Sequence, residues 1–257
     1  MSSAGGTLGW AADADAVAHV LVDGALDERL TVTGTDGHHL ARARRLRTDE
    51  RVTAGDGQGR WREYRVADVE RGMVVLTAES LARDEPVMDP PLACALALTK
   101  GEKPETAVTR LTEMGVDRVM LFAARRSVVR WDATRAKSAQ QRLERVAREA
   151  AMQSRRSRVP RIETAVTLAE VAHHPGVVVA DREGHPASAL EDPGPGGWLL
   201  VVGPEGGFDA GEREALGDAP RLALGPHVLR AETAAIAAAA ALTGRREARA
   251  PRGSHGG

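Results

Sequence analysis

Apolar and polar positions along the chain follow two rhythms. From His19 to about Glu79, short apolar stretches alternate with turn residues. Val66, Val69 and the run from Met73 to Leu76 supply strand positions, and Gly55-Asp56-Gly57-Gln58-Gly59 is a strong hairpin connection. Beyond Pro91 the pattern becomes alternating strand and helix. Strands are predicted over Ala93–Leu98, Arg118–Phe122, Val177–Ala180, Trp198–Val202 and Arg221–Leu224, and helices over Pro104–Met114 and roughly Ala133–Ser154. An alanine-rich helix follows Thr233 and stops at Gly244, and Asp209 with Glu212 three residues later predicts a capping box. Short apolar runs bounded by turn residues suit buried parallel strands, and strand–helix alternation predicts a mostly parallel sheet covered by helices on both faces.

These rhythms divide the chain into a flexible start (1–16), a small β domain (17–83), a linker (84–91), an α/β domain (92–244) and a disordered basic tail (245–257). The prolines between Pro86 and Pro91 stiffen the linker and exclude helix. At 257 residues the chain is long enough for two modest domains, and its 42% hydrophobic content supports a core. With 3% aromatics, aliphatic side chains must fill that core. The net charge of -1 means that any nucleic-acid site must come from local clustering of the 35 Lys and Arg residues. Cys94, the single cysteine, rules out an internal disulfide and lies in an apolar run. Absence of an apolar membrane span or signal-peptide pattern predicts a cytoplasmic protein. His38-His39 and His173-His174 have no ligand set around them, so no metal site is expected.

The most informative stretch is 198–244, where two strands each run into a Gly-Pro loop and then a helix. Val202 leads into Gly203-Pro204-Glu205-Gly206-Gly207, and Leu224 into Gly225-Pro226-His227-Val228-Leu229-Arg230. Ligands on parallel sheets collect at the carboxyl ends of strands, so these loops can shape one small-molecule pocket largely from backbone. Glycines let a ligand approach the main chain closely. Neither loop is a dinucleotide fingerprint or a P-loop, which argues against nicotinamide and ATP phosphate sites. Leu224, Val228 and Leu229 can wall an adenine, although ordinary core packing explains each leucine equally well. The small side chains of the helix from Ala234 suit a close intramolecular approach or a subunit interface, and high helix propensity alone also explains them.

Glu232 and Thr233 open that helix, where an acid is favoured by the helix dipole, whereas Arg230 works against it. Arg155, Arg156, Arg158 and Arg161 form a basic run after the long helix, and His38, Arg42, Arg44, Arg45 and Arg47 form another in the small domain. Both are candidates for phosphate contacts, which position RNA without reading its sequence.

The two Gly-Pro loops, His38-His39-Leu40 with Arg44-Arg45-Leu46-Arg47, Lys100-Gly101-Glu102-Lys103, Glu113-Met114-Gly115-Val116, and Gln153-Ser154 with Arg156 and Arg158-Val159-Pro160 form an ordered set. Over about His19 to Gly244 that set resembles the bacterial 16S ribosomal RNA N3-uridine methyltransferase family of the SPOUT class. The resemblance implies an α/β fold: a SPOUT-type trefoil-knot methyltransferase domain with a smaller N-terminal PUA-like β-barrel. It implies an S-adenosylmethionine site formed by Val202, Gly203, Pro204, Glu205, Gly206, Gly207, Leu224, Gly225, Val228, Leu229, Arg230, Thr233 and Ala234. It further implies a homodimer and the 16S ribosomal RNA of the small subunit as partner, with RNA contacts from His38, Arg42, Arg44, Arg45, Arg47, Arg155 and Arg158. Arg156 matches a segment near the target base. It is the first candidate to stabilise charge on the uracil carbonyls, with Arg230 second and Glu232 as proton acceptor. Two departures stand out: Met152 where the family often has Glu, and Arg155 where Gly is common. A ribose 2′-O methyltransferase of the same class, or a non-catalytic RNA-binding protein, are the alternatives.

Overall fold

The computed structural model describes residues 16–34, 37, 40, 46–70, 72–100 and 103–249. The chain divides into two compact units, the first built from residues 1–87, 151–159 and 248–257 and the second from 88–150 and 160–247. Residues 1–15 of the expected flexible start (1–16), His38, Arg42, Arg44, Arg45 and the end of the tail lie outside the described residues, whereas Ala16 is described and buried.

The first unit is a six-stranded sheet of β1 (Ala18–Leu21), β2 (Arg29–Val32), β3 (Arg51–Gly55), β4 (Arg60–Glu70), β5 (Met73–Ala78) and β6 (Arg83–Asp84). The order is β1-β3-β4-β5-β2, with β6 beside β4; β1 and β3 run parallel and the remaining pairs antiparallel. The predicted hairpin joins β3 to β4, its turn held by Asp56 Oδ1, which accepts from Gln58 N at 2.7 Å and Arg60 N at 3.0 Å. One face buries Ala18, Val20, Val52, Ala54, Tyr64, Val66, Val74 and Leu76, following the two-residue period of a pleated strand.

The other face of β1 and β3 is not solvated, as a simple two-faced strand would be. Residues 151–159 belong to this unit and lie over His19, Thr53 and Gly55, where a Cβ on Gly55 would sit 3.2 Å from Ser157 Cβ. Two main-chain bonds fix the segment: Gly59 N donates to Ser157 O at 3.0 Å and Val159 N to Gly57 O at 2.9 Å. The contiguous small domain expected over 17–83 therefore lacks a piece that returns from far along the chain. Part of the expected linker is built in as well. Glu85 is buried, donates its N–H to Gly59 O at 2.7 Å and accepts from Ser157 N at 2.7 Å.

After β7 (Val87–Asp89), the second unit carries an all-parallel sheet. Its strands are β8 (Leu92–Ala97), β9 (Arg118–Phe122), β10 (Arg161–Val166), β11 (Val177–His185), β12 (Trp198–Val202) and β13 (Arg221–Leu222), in the order β10-β9-β8-β12-β11-β13. The helices are α1 (Lys103–Glu113), α2 (Ala133–Gln153), α3 (Leu168–Ala172), α4 (Ala210–Leu216) and α5 (Ala231–Thr243). All five residues of β12 are buried, as befits a central strand covered on both faces. The buried face of α5 (Ala231, Ala235, Ala238, Ala239 and Leu242) packs on α1, β8 and β12, so its small side chains serve close packing inside the unit.

β10 and α3 are absent from the sequence-based expectation. The start of the expected tail is ordered, because its arginines satisfy main-chain acceptors. Arg246 is buried, with Nε donating to Pro90 O at 2.8 Å, Nη1 to Gly115 O at 2.7 Å and Nη2 paired with Asp117. Arg245 lies over the Trp198 ring and bonds Ala187 O and Leu190 O.

Candidate active site

A parallel sheet places all its carboxyl ends on one side, and the loops there enclose a cavity of about 440 Å³. Val202, Gly203, Pro204, Glu205, Gly206, Gly207, Leu224, Gly225, Val228, Leu229 and Ala234 all line it; Arg230 and Thr233, both exposed, do not. The glycines have distinct local reasons. Gly207 (φ +66) and Gly225 (φ +121) occupy backbone conformations that side chains disfavour, with open space around them. At Gly203 a Cβ would press on the Phe208 ring at 3.0 Å, and that ring stacks on Phe122. Gly206 has an ordinary φ, and its Cβ would meet the Arg126 side chain, with Cβ at 3.4 Å and Cδ at 3.6 Å.

The predicted capping box is present. Asp209 Oδ1 accepts from Glu212 N at 2.8 Å, and Glu212 Oε2 accepts from Asp209 N at 2.9 Å. The buried Glu212 carboxylate also accepts from Arg125 N at 2.6 Å, and Arg126 Nη1 donates to Gly206 O at 2.8 Å. The segment after β9 thus braces the first glycine loop from outside. Nothing local in the sequence pairs residue 125 with 212.

One wall of the cavity escaped the sequence reading. β11 continues past Ala180 with a register irregularity: Ala180 and His185 both face Leu222 of β13. The intervening Asp181, Arg182 and Glu183 are carried to the cavity, joined there by Arg213 and Arg221. Irregularities of this kind re-aim side chains beside sites. Gly184 permits the turn, since a Cβ there would lie 2.4 Å from the Arg221 main chain. Burial pushes the Asp181 carboxyl up, but the Glu183 N–H and the Arg221 guanidinium at 2.6 Å outweigh it and hold the group below its usual range. The carboxyl-end rule that selected β12 and β13 applies equally to β11 and was the signal available.

Lys103, noted only within a sequence motif, links three segments. Its Nζ bonds Glu205 Oε1 at 2.5 Å and lies 3.6 Å from Glu232 Oε2. The hydrogen bond to Glu205 raises the Lys103 pKa and lowers that of Glu205. Glu232 Oε2 is buried and accepts no hydrogen bond among the described residues. Arg230 is the N-cap residue of α5 and makes no side-chain capping bond.

The remaining candidates belong to the first unit. Arg156 is 5% exposed, and its charge opposes the upward push that burial gives the Glu85 carboxyl. Arg155 has φ 58, a left-handed conformation that explains why glycine suits this position, and its Nη2 donates to Ala16 O. Arg158 Nη1 donates to Gln58 O at 2.7 Å, its guanidinium lying where a side chain on Gly59 would be. Arg47 N donates to Glu50 Oε2 at 2.8 Å. Among the described residues no helix is long and apolar enough to cross a membrane, and no group of three or more His, Cys, Asp or Glu could hold a metal ion.

Comparison with known proteins agrees with this architecture. Residues 87–243 match the RNA methyltransferase domain family and residues 32–78 the RNA methyltransferase PUA domain. A ribosomal RNA small subunit methyltransferase E from Mycobacterium bovis is 38% identical over 223 residues, 82% of this chain and 84% of the relative. The protein of that description from Bacillus subtilis is 29% identical over 227 residues, 83% and 89% of the two chains. The crystal structure of a ribosomal RNA small subunit methyltransferase E from Neisseria gonorrhoeae, bound to S-adenosylmethionine, superposes with a TM-score of 0.74 at 21% identity, covering 88% of this chain and 96% of that one. A domain match over more than half its length and a relative of this similarity place the chain in the ribosomal RNA small subunit methyltransferase E family.

Proposed function

We propose that this protein transfers a methyl group from S-adenosylmethionine to N3 of a uridine in the 16S ribosomal RNA of the small subunit. One observation carries the reading: both glycine loops border a single cavity, and the Lys103–Glu205–Glu232 cluster adjoins it. A cavity of about 440 Å³ is in the range of small-molecule sites, which run from about 300 to 1,000 Å³. Open main chain at Gly207 and Gly225 fits a nucleoside held by backbone groups, with Leu224 and Leu229 as apolar walls. When bound, S-adenosylmethionine supplies the electrophilic methyl carbon. The chain's own residues supply alignment and electrostatics.

Uridine N3 carries a proton at neutral pH that must leave at or before attack. Glu232 is the candidate to accept it, directly or through water, because it stands in the first turn of α5 between the cavity-lining Ala231 and Ala234. Loss of the proton spreads negative charge over the flanking carbonyl oxygens, which an arginine stabilises. Arg230 lies between the cavity-lining Leu229 and Ala231 and is exposed, whereas Arg156 is buried with Glu85. We therefore rank Arg230 above Arg156, reversing the order inferred from sequence. The parallel order of the second sheet is compatible with the SPOUT-type reading; its knot rests on the family resemblance alone, and we retain it and the homodimer as parts of the proposal. The homodimer's support is likewise the family resemblance, since the small side chains of α5 are packed inside the unit.

The test is nucleoside mass spectrometry of ribosomal RNA from cells with and without this gene. Disappearance of N3-methyluridine is expected. Loss of a ribose-methylated nucleoside instead would assign the 2′-O reaction, and an unchanged profile would favour non-catalytic RNA binding. Single-turnover methylation at saturating RNA and cofactor should slow about a hundred- to a thousandfold for Arg230→Ala, the usual cost of removing one oxyanion donor.

A further inference from the structure

The N-terminal basic cluster and the run after α2 are not the chain's only concentrations of positive charge. Between Arg125 and Lys137 stand Arg125, Arg126, Arg130, Arg135 and Lys137, all exposed, against one carboxylate, Asp132. The whole chain carries a net charge of -1, so this local field contrasts with its background. Asp132 caps α2, its Oδ1 accepting from Arg135 N at 2.8 Å, so the acid is committed to the backbone. No acid occupies the first turn of α2, and Arg135 and Lys137 lie there or just beyond. Cations at a helix N-terminus oppose the dipole. Neither side chain has an ion-pair partner among the described residues. Local stability thus gives no reason for these two charges, while an anion held outside them would relieve the repulsion.

The segment is also fastened to the site. Arg126 holds Gly206 O, Arg125 N bonds Glu212, and Arg130 Nη2 reaches Arg125 O at 3.4 Å. Arg155 and Arg158, expected from sequence to touch RNA, each direct one guanidinium donor to a main-chain carbonyl of the first unit. We propose that residues 125–137 form a docking surface for the RNA phosphate backbone, continuous with the first glycine loop, so that the catalytic unit itself positions the substrate. Arg125 is shared with Asp209 at 3.5 Å, so Arg130, Arg135 and Lys137 are the spaced cations that suit a polyphosphate chain; the half-buried Trp131 and exposed Val128 add apolar contact beside them. This inference rests on the RNA-methylation reading, but fails separately from it.

The experiment compares the full chain with the Arg130→Gln/Arg135→Gln/Lys137→Gln variant, titrated against a labelled 16S ribosomal RNA transcript over a series of KCl concentrations. Losing three phosphate contacts at about 0.7 each should flatten the slope of log Kd against log salt by about 2. Affinity at low salt should fall at least tenfold, with S-adenosylmethionine affinity by calorimetry within about twofold of wild type. Wild-type RNA affinity and slope in the variant would overturn the proposal while leaving the methylation reading intact. Absence of RNA binding by the unaltered protein would instead strike that reading, and this inference with it. Preferential binding of polyglutamate over RNA by this segment would also overturn it, assigning an acidic protein partner. Should the triple variant lose cofactor binding, Lys137→Glu alone is read in its place: an unchanged salt slope then refutes the surface.

Discussion

Glu212 is where the fold and the candidate site are most directly joined. Its two carboxylate oxygens accept from Asp209 N at 2.9 Å and Arg125 N at 2.6 Å, in a residue that is 7% exposed. Glu212→Ala removes both acceptors and leaves the part-buried amides of Asp209 and Arg125 without them. Hydrogen bonds to charged groups contribute about 1.5–3 kcal/mol each, and loss of a cap about 0.5–2 kcal/mol, so overlapping losses sum to about 2–4 kcal/mol. With a urea m-value of about 2 kcal/mol/M, the unfolding midpoint followed by the buried Trp198 should fall by about 1–2 M. If the site opens locally, the amides of Asp209 and Arg125 should exchange about thirty- to several-hundredfold faster, at about 1.4 kcal/mol per decade. Glu212→Gln keeps one acceptor and should lose roughly half as much. Because Arg125 and Arg126 brace the first glycine loop, cofactor affinity should weaken in parallel. An Ala variant with unchanged midpoint and unchanged exchange at both amides would refute the assignment of Glu212 as the brace.

Other expectations are more local. Gly206→Ala should leave the urea midpoint unmoved, since its Cβ makes only ordinary contacts with the Arg126 side chain, at 3.4 and 3.6 Å, yet weaken S-adenosylmethionine binding by calorimetry; unchanged affinity would remove Gly206 from the site. Gly225→Ala should instead destabilise by about 1–2 kcal/mol from backbone strain at φ +121, read as a lower midpoint. Lys103→Met should move the Glu205 carboxyl upward in a carbon-detected NMR titration, because the Lys103 hydrogen bond is the main cause of its depression. A titration that stays in place would contradict that cause. In the first unit, burial and then the Arg155 charge lower His19 from 6.5 to about 4, so the unfolded chain takes up the proton first. Stability is therefore complete above pH 6.5 and declines as pH falls toward 4, by up to about 3 kcal/mol; His19→Gln should flatten that decline in urea titrations across this range.

What the sequence by itself determined is what neighbouring residues settle among themselves. The alternation of apolar runs located β9 and β12 to the residue and α1 and α2 to within one, because period and capping are local. Asp209 and Glu212, three apart, form their capping box for the same reason, and the asparagine-free hairpin at 55–59 turns on its own glycines and Asp56. Two Gly-Pro loops at strand ends were legible as a ligand pocket because a parallel sheet must bring its carboxyl ends together. Contacts between residues far apart in the chain depended on tertiary structure. Asp181, Arg182 and Glu183 reach the cavity through a register irregularity against Leu222, some forty residues away, which no window of sequence contains. Residues 151–159 are the last turn of α2 and the loop that follows it, yet belong to the first unit because Gly57 and Gly59 offer main-chain partners and Glu85 a buried carboxylate. For that reason the basic run that resembles an RNA site in sequence is largely engaged with its own protein. Of the exposed cations at 125–137, Arg125 pairs with Asp209 at 3.5 Å, a contact across more than eighty residues that no local pattern announces, whereas Arg130, Arg135 and Lys137 stay exposed.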